Sequence, residues 1–161
     1  MRLAIAAVGK MKAGAERDLA DRYRERAAKA GRPLGFKAVE IVELPESRAA
    51  RAEERMAEEG AALLRHAADD SFVRIALDEA GTSLGSEEFA RLLGRWKDGG
   101  RAATIFAIGG PDGLSREFRA RAELTWSFGA ATWPHQLVRI MLLEQLYRAI
   151  TILAGHPYHR P

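Results

Sequence analysis

Apolar segments rich in β-favouring residues alternate with charged, alanine-rich segments along the whole chain. The apolar segments predict five strands, at residues 3–8, 36–44, 72–77, 104–108 and 124–128. The segments that follow them predict helices at residues 14–30, 47–67, 86–98, 115–121 and 134–155. This alternation favours an α/β fold with a mostly parallel sheet and helices on both faces.

Length and composition limit the kinds of protein that the sequence fits. The 161 residues predict a single domain, residues 1–161, because no linker or low-complexity stretch divides them. The chain has no cysteine, which excludes disulfides and thiolate metal sites, and its histidines lack zinc-ligand spacing. No apolar segment is long enough to cross a membrane. The formal net charge of +3 permits a polyanionic partner without requiring one.

Three residues indicate where predicted helices begin. Ser86 precedes Glu87 and Glu88, acidic residues that the helix dipole favours in a first turn, so Ser86 is a predicted N-cap. Ser115 is the predicted N-cap of the short helix, and Pro134 suits the first turn of the last one.

The fourth apolar segment ends in an unusual cluster, Gly109-Gly-Pro-Asp-Gly113. Paired glycines at the end of a parallel strand let a ligand approach the main chain closely. The cluster matches neither a P-loop nor a dinucleotide fingerprint. A plain strand-to-helix turn is the alternative interpretation.

A second candidate segment, Thr125–Pro134, places aromatic residues around the small residues Gly129, Ala130 and Ala131. Small residues allow main chain to line a site, and the aromatic rings could enclose a flat ligand. Ordinary core packing is the alternative. The adjacent acidic residues Asp78 and Glu79, which follow the third strand, carry no specific prediction.

The last predicted helix is apolar on more than one side, so it is expected to be buried on several sides, one of them against a second subunit. Its Glu144 and Arg148 have the spacing of an ordinary intrahelical ion pair. The tail after it contains Tyr158, His159 and Arg160, which suit contacts with RNA bases and phosphates. A frayed terminus is the alternative.

Five segments, in order, carry a resemblance to a known family: LAIAAVGK, ALDEAGTSLGSEEFA, IGGPDGLS, TWPHQLVRIMLLEQLYRAITI and HPYHR. The chain resembles the bacterial methyltransferases of the SPOUT class that methylate N3 of a pseudouridine in 23S rRNA. The resemblance implies a C-terminal trefoil knot, S-adenosylmethionine as methyl donor without a metal, a cytoplasmic homodimer and action on assembled ribosomes.

The resemblance also implies which residues act. Donor binding is expected at Leu77, Gly109, Gly110, Phe128, Gly129, Ala130, Ala131, Thr132 and Trp133. RNA binding is expected at Tyr158, His159 and Arg160. An imide N3 is a weak acid, so a base or a cation near it would help, and the candidates are His135, Arg139, Glu144 and His159.

Three departures from the family pattern are Thr82, where relatives often carry Lys, the small Gly129-Ala130-Ala131 segment, and Pro161 after the tail. Two rival functions remain at this level. One is an RNA- or ribosome-binding module without catalysis, and the other is a small-molecule methyltransferase.

Overall fold

Strands and helices alternate in the computed structural model, which describes residues 1–160. The strands are β1 (Arg2–Val8), β2 (Ala38–Leu44), β3 (Phe72–Ser83), β4 (Ala103–Ile108) and β5 (Leu124–Ser127). The helices are α1 (Ala15–Gly31), α2 (Ala52–His66), α3 (Ser86–Asp98), α4 (Arg116–Ala120) and α5 (His135–Leu153), with a short 3-10 turn at Arg32–Leu34. The predicted α/β fold is confirmed.

The five strands form one sheet in the order β2-β1-β4-β3-β5, and every neighbouring pair of named strands is parallel. Successive residues of a strand point to opposite faces. On β1, Leu3 and Ile5 join the core on one face, and Ala4 and Ala6 join the core on the other. All of β4 is buried, as expected for a central strand covered on both faces.

Helices cover both faces of the sheet. Helices α1, α3 and α5 pack together on one face, and α2 and α4 pack together on the other. The apolar residues of α5 bury several of its sides within the chain, with Leu142, Leu143 and Leu146 fully buried. Leu137 is the exception, with 40% of its surface exposed.

Two expectations about helix ends were wrong. Helix α2 begins at Ala52 rather than near residue 47, because side chains bond the preceding main chain in a non-helical conformation. The Ser47 N–H donates to Glu59 and the carbonyls of Ala49 and Ala50 accept from Arg55. Ser86 is not an N-cap but the first residue of α3, after Gly85.

The hydroxyl of Ser86 donates instead to the Gln145 side chain on α5, at 2.8 Å. Ser115 is the N-cap of α4, as predicted, and its Oγ accepts from the Phe118 N–H at 3.1 Å. Strand β3 extends to Ser83, six residues beyond the predicted end, through an irregularity between Leu77 and Thr82. The knot that the resemblance implies stays a prediction.

Candidate functional site

A cavity of about 480 Å³ opens at the carboxyl ends of β3, β4 and β5. Open parallel sheets bind ligands at this edge, beyond the strand ends. Three segments form most of its wall: residues 77–80 in β3, the turn at 108–114 after β4, and the segment from Trp126 to Val138 that joins β5 to α5.

The turn after β4 is closed by its own main chain. Gly110 and Gly113 form an antiparallel bridge, and the Gly113 N–H donates to the Gly110 carbonyl at 2.9 Å. Gly113 has φ 88°, in the left-handed region that glycine tolerates best. A Cβ on Gly109 would lie 2.5 Å from the Gly113 carbonyl carbon, so only glycine fits at Gly109 without displacing the turn.

Side chains of helix α2 hold this turn in position. Arg55 makes two hydrogen bonds to the Asp112 carboxylate, at 2.7 and 3.1 Å, and these bonds hold the pKa of Asp112 below its ordinary value. Glu59 is buried beneath Gly110, and its Oε1 accepts from the Ser47 main chain at 2.8 Å. The position of the turn therefore depends on α2 as well as on β4.

The segment after β5 is attached to β3. The Ser127 hydroxyl is 3.1 Å from the Glu79 carbonyl and 2.9 Å from the Gly129 carbonyl. The Thr132 hydroxyl donates to the Glu79 carboxylate at 2.8 Å. These bonds hold the main chain of the small-residue segment, around Ala131, at the mouth of the cavity.

Aromatic rings form the inner wall. Trp126 stacks on Phe89 with ring centroids 4.2 Å apart and contacts Phe128 at 4.8 Å. Trp126 is buried and lines the cavity, yet its indole N–H has no acceptor among the described residues. Trp133 stands at the mouth with 43% of its surface exposed. The wall therefore offers flat apolar surface and one hydrogen-bond donor, the indole N–H of Trp126, that has no acceptor among the described residues.

The structure brings the two candidate segments together. The predicted donor-binding residues that line this one cavity are Leu77, Gly109, Gly110, Phe128, Gly129, Ala131, Thr132 and Trp133. Ala130 is exposed and does not line it. Their roles stay predictions, but two segments far apart in sequence share one wall.

Sequence reasoning missed the charged residues of this cavity. Asp78 and Glu79 line it, although their position after a strand carried no specific signal. Arg119 of α4 also lines it and donates to Asp78 at 2.9 Å. The signal that could have found the acidic pair was their place directly after the predicted strand 72–77, at the same sheet edge as the Gly109 turn.

Of the four candidates for proton handling, His135 alone lines this cavity, at its exposed rim. Arg139 lies in a second cavity of about 380 Å³, where it donates to Glu43 at 2.5 Å and to the Gly9 carbonyl at 3.3 Å. Burial opposes ionisation of Glu43, but hydrogen bonds from Met11 and Arg139 outweigh it and lower the pKa of Glu43.

Glu144 belongs to a cluster with the tail. It accepts from Arg148 and from the Tyr158 hydroxyl, at 3.0 Å in each case. The Tyr158 ring contacts the Tyr147 ring with centroids 4.6 Å apart. Burial, with hydrogen bonds to Tyr23 and Glu144, raises the pKa of Tyr158 above the ordinary value. The tail therefore packs on α5 through Tyr158 and is not frayed there.

His135, in the first turn of α5, and Glu144, in its middle, have different neighbours. His135 and Glu144 are nine residues apart, which on a helix is about 14 Å along the axis and opposite sides of it. His159 lies 3.4 Å from Arg148 and 3.6 Å from Glu87, in the tail cluster, and Arg160 is exposed. Within one chain, the tail and Glu144 are thus not part of the cavity wall.

The arrangement suits a flat organic ligand held by main chain rather than a metal. Within residues 1–160, no three His, Asp or Glu side chains group as metal ligands. The cavity combines the open main chain of Gly109 and Gly110 with the rings of Trp126 and Phe128. In the same part of the chain, no helix has the length and apolar character needed to cross a membrane.

Comparisons with known proteins agree with this arrangement. The profile of a family described as "Predicted SPOUT methyltransferase" matches residues 1–159. Proteins named ribosomal RNA large subunit methyltransferase H are 62% identical in Bradyrhizobium diazoefficiens and 59% identical in Rhodopseudomonas palustris, each over 99% of this chain and 99% of the relative. A probable methyltransferase from Bordetella pertussis has a similar fold, with TM-score 0.52 and 16% identity over 92% of this chain and 95% of its own.

Proposed function

Because the chain belongs to the SPOUT methyltransferase family, we propose that it transfers a methyl group from S-adenosylmethionine to N3 of a pseudouridine in 23S rRNA of the assembled ribosome. One observation carries the proposal: the predicted donor-binding segments line a single cavity in a chain that matches rRNA methyltransferases over its full length. A cytoplasmic location follows from this substrate.

The proposed donor site uses main chain and rings. The turn at Gly109 and Gly110 presents bare backbone to the adenosine part of the donor, and Trp126 and Phe128 offer apolar surface for it. The donor supplies a methyl group on a positively charged sulfur, so the protein needs no metal to activate it. The task of the residues is to bring donor and acceptor into line.

The acceptor nitrogen carries a proton that must leave during methyl transfer. We propose that His135, which lies at the rim of the cavity, contacts the acceptor bound in the same chain. His159 and Arg160 of the tail are proposed to contact RNA, with Glu144, Arg148 and Tyr158 holding the tail in position. In this proposal Glu144 acts through the tail and not on the reacting atoms.

We further propose a homodimer in which the tail of one subunit completes the cavity of the other. Two observations support this arrangement. The tail cluster and His135 lie on opposite sides of α5, so one chain does not join them. Trp133 at the cavity mouth and Leu137 in the first turn of α5 leave 43% and 40% of their surfaces exposed, and a second subunit would cover them.

Methyl transfer to purified ribosomal particles tests the reaction. Labelled donor is supplied with 70S ribosomes, free 50S subunits or bare rRNA, and the modified base is mapped by mass spectrometry. We expect one methyl group on N3 of a pseudouridine, with assembled ribosomes as the best substrate. Donor binding in calorimetry without transfer to any RNA would contradict the proposal and favour a small-molecule methyltransferase, and absence of donor binding would favour a binding module.

Mixed dimers test the composite site. One subunit carries Gly109→Ala, which damages the cavity, and the other lacks residues 158–161, which removes the tail. At a donor concentration well below the dissociation constant of the Gly109→Ala protein, either homodimer is expected to have little activity. The mixed dimer has one intact cavity facing one intact tail if they come from different subunits, so we expect about half of the wild-type activity. An inactive mixed dimer would place both elements in the same chain.

A further inference from the structure

The charged side chains of the main cavity are not equally neutralised. Asp78 pairs with Arg119 at 2.9 Å, and Asp112 pairs with Arg55 at 2.7 Å. Glu79 accepts only the uncharged hydroxyl of Thr132, and no Lys, Arg or His of residues 1–160 lies within 4.0 Å of its carboxylate. The wall therefore carries one carboxylate whose charge no cation offsets.

The methyl donor and its product differ in charge at the atom that reacts. S-adenosylmethionine carries a sulfonium, an ammonium and a carboxylate, which give a net charge of +1 at neutral pH. Loss of the methyl group turns the sulfonium into a neutral thioether, so S-adenosylhomocysteine has a net charge of zero. A carboxylate in the cavity wall attracts the first ligand more strongly than the second.

We propose that Glu79 makes the cavity prefer the cationic donor over its neutral product, and so favours replacement of bound product by a new donor molecule after methyl transfer. This inference rests on the proposed function, because it places the donor in this cavity. Glu79 is well located for the role: it lies in the irregular part of β3, and its bond to Thr132 fixes the carboxylate at the mouth. Asp78 and Asp112 are already engaged by arginines.

Calorimetry with S-adenosylmethionine and S-adenosylhomocysteine distinguishes an effect of the Glu79 charge from an effect of its shape on binding. Glu79→Gln removes the charge and keeps an oxygen that can accept from Thr132. We expect its dissociation constant for S-adenosylmethionine to rise about two- to fivefold, the range of a partly exposed charge interaction, and that for S-adenosylhomocysteine to change little. Added salt should weaken donor binding less in Glu79→Gln than in the wild type.

Two control variants complete the experiment. Glu25→Gln removes an exposed charge on α1, which does not line the cavity, and should leave both dissociation constants unchanged. Thr132→Val removes the hydroxyl that fixes Glu79 but keeps the charge, so the preference for the donor should persist.

The outcomes test the role of Glu79 separately from the proposed binding of the donor in this cavity. A selective loss of donor binding in Glu79→Gln supports the inference. Equal weakening of both ligands would show that Glu79 only shapes the wall, and unchanged affinities would show no role, so either result overturns it. If the wild-type protein bound neither S-adenosylmethionine nor S-adenosylhomocysteine, that result would instead contradict the proposed donor site itself.

Discussion

Replacing Gly109 with alanine tests the link between the turn after β4 and donor binding with one added methyl group. The new Cβ would lie 2.5 Å from the Gly113 carbonyl carbon, 2.6 Å from its oxygen and 2.8 Å from the Leu114 nitrogen. Ordinary van der Waals contact for a Cβ begins at 3.4 Å. All three atoms are main chain, so no side chain can rotate away, and the turn itself must move by roughly 1 Å.

A shift of this size is expected to act on binding more than on folding. Overpacking costs about 1–3 kcal/mol, which a domain of this size can survive. The same energy, lost from the bound state, corresponds to roughly a fivefold to hundredfold weaker dissociation constant. We expect Gly109→Ala to keep its circular dichroism spectrum, to melt a few degrees lower, and to bind S-adenosylmethionine at least about fivefold more weakly in calorimetry.

Gly85 provides a matched control. It precedes α3, has an ordinary φ of −71°, and offers its Cβ open space, with nothing within 4 Å. Gly85→Ala should therefore leave both stability and donor affinity close to wild type. A folded Gly109→Ala protein with wild-type affinity would refute the idea that the turn sets the shape of the donor site.

Three further substitutions test other parts of the structure. Arg55→Ala removes the two hydrogen bonds that hold Asp112, so the turn after β4 is less firmly positioned and donor affinity should fall several-fold in calorimetry. Tyr158→Phe removes the hydrogen bond to Glu144, which should cost about 0.5–1.5 kcal/mol in denaturant unfolding and reduce ribosome methylation more than donor binding. Glu43→Gln should lower stability by about 1–3 kcal/mol at pH 7, and the gap from wild type should close as the pH falls below 4.5.

The sign of the pH effect follows from the lowered pKa of Glu43. A carboxyl group whose folded pKa lies below its unfolded value stabilises the fold above that unfolded value, and the contribution disappears as the pH falls through the folded pKa. A stability difference between Glu43→Gln and the wild type that widened in acid would contradict this reasoning.

Arg121→Ala is the control for Arg55→Ala, because the ion pair of Arg121 with Glu117 is exposed and neither residue lines the cavity.

The fold was predictable because burial leaves a strong pattern in this sequence. Strand β4 is apolar at nearly every position since both of its faces are covered, and α4 follows a serine, Ser115, whose hydroxyl caps it. The errors arose where side chains compete with regular structure. Arg55 and Glu59 bond the main chain before α2, and Ser86 bonds Gln145 across to α5 instead of its own helix.

The cavity was only partly predictable, for a related reason. Glycine at 109 and small residues at 129–131 point to close approach of main chain, a property that sequence displays directly. The charges of the wall have no such signal. Asp78 and Glu79 are neighbours in sequence, but one is neutralised by Arg119 of α4 and the other is not. Only the packing of distant elements distinguishes them.

Helix α5 shows how one element can serve two sites. Its first turn, at His135, stands at the rim of the cavity, and Glu144, on the opposite side of the helix, holds the tail through Tyr158. The buried side chains of α5 hold the helix against the sheet, α1 and α3, so His135 and Glu144 stay on opposite sides of it. The proposed homodimer would bring the cavity of one copy and the tail of the other together, which a single chain with this helix does not do.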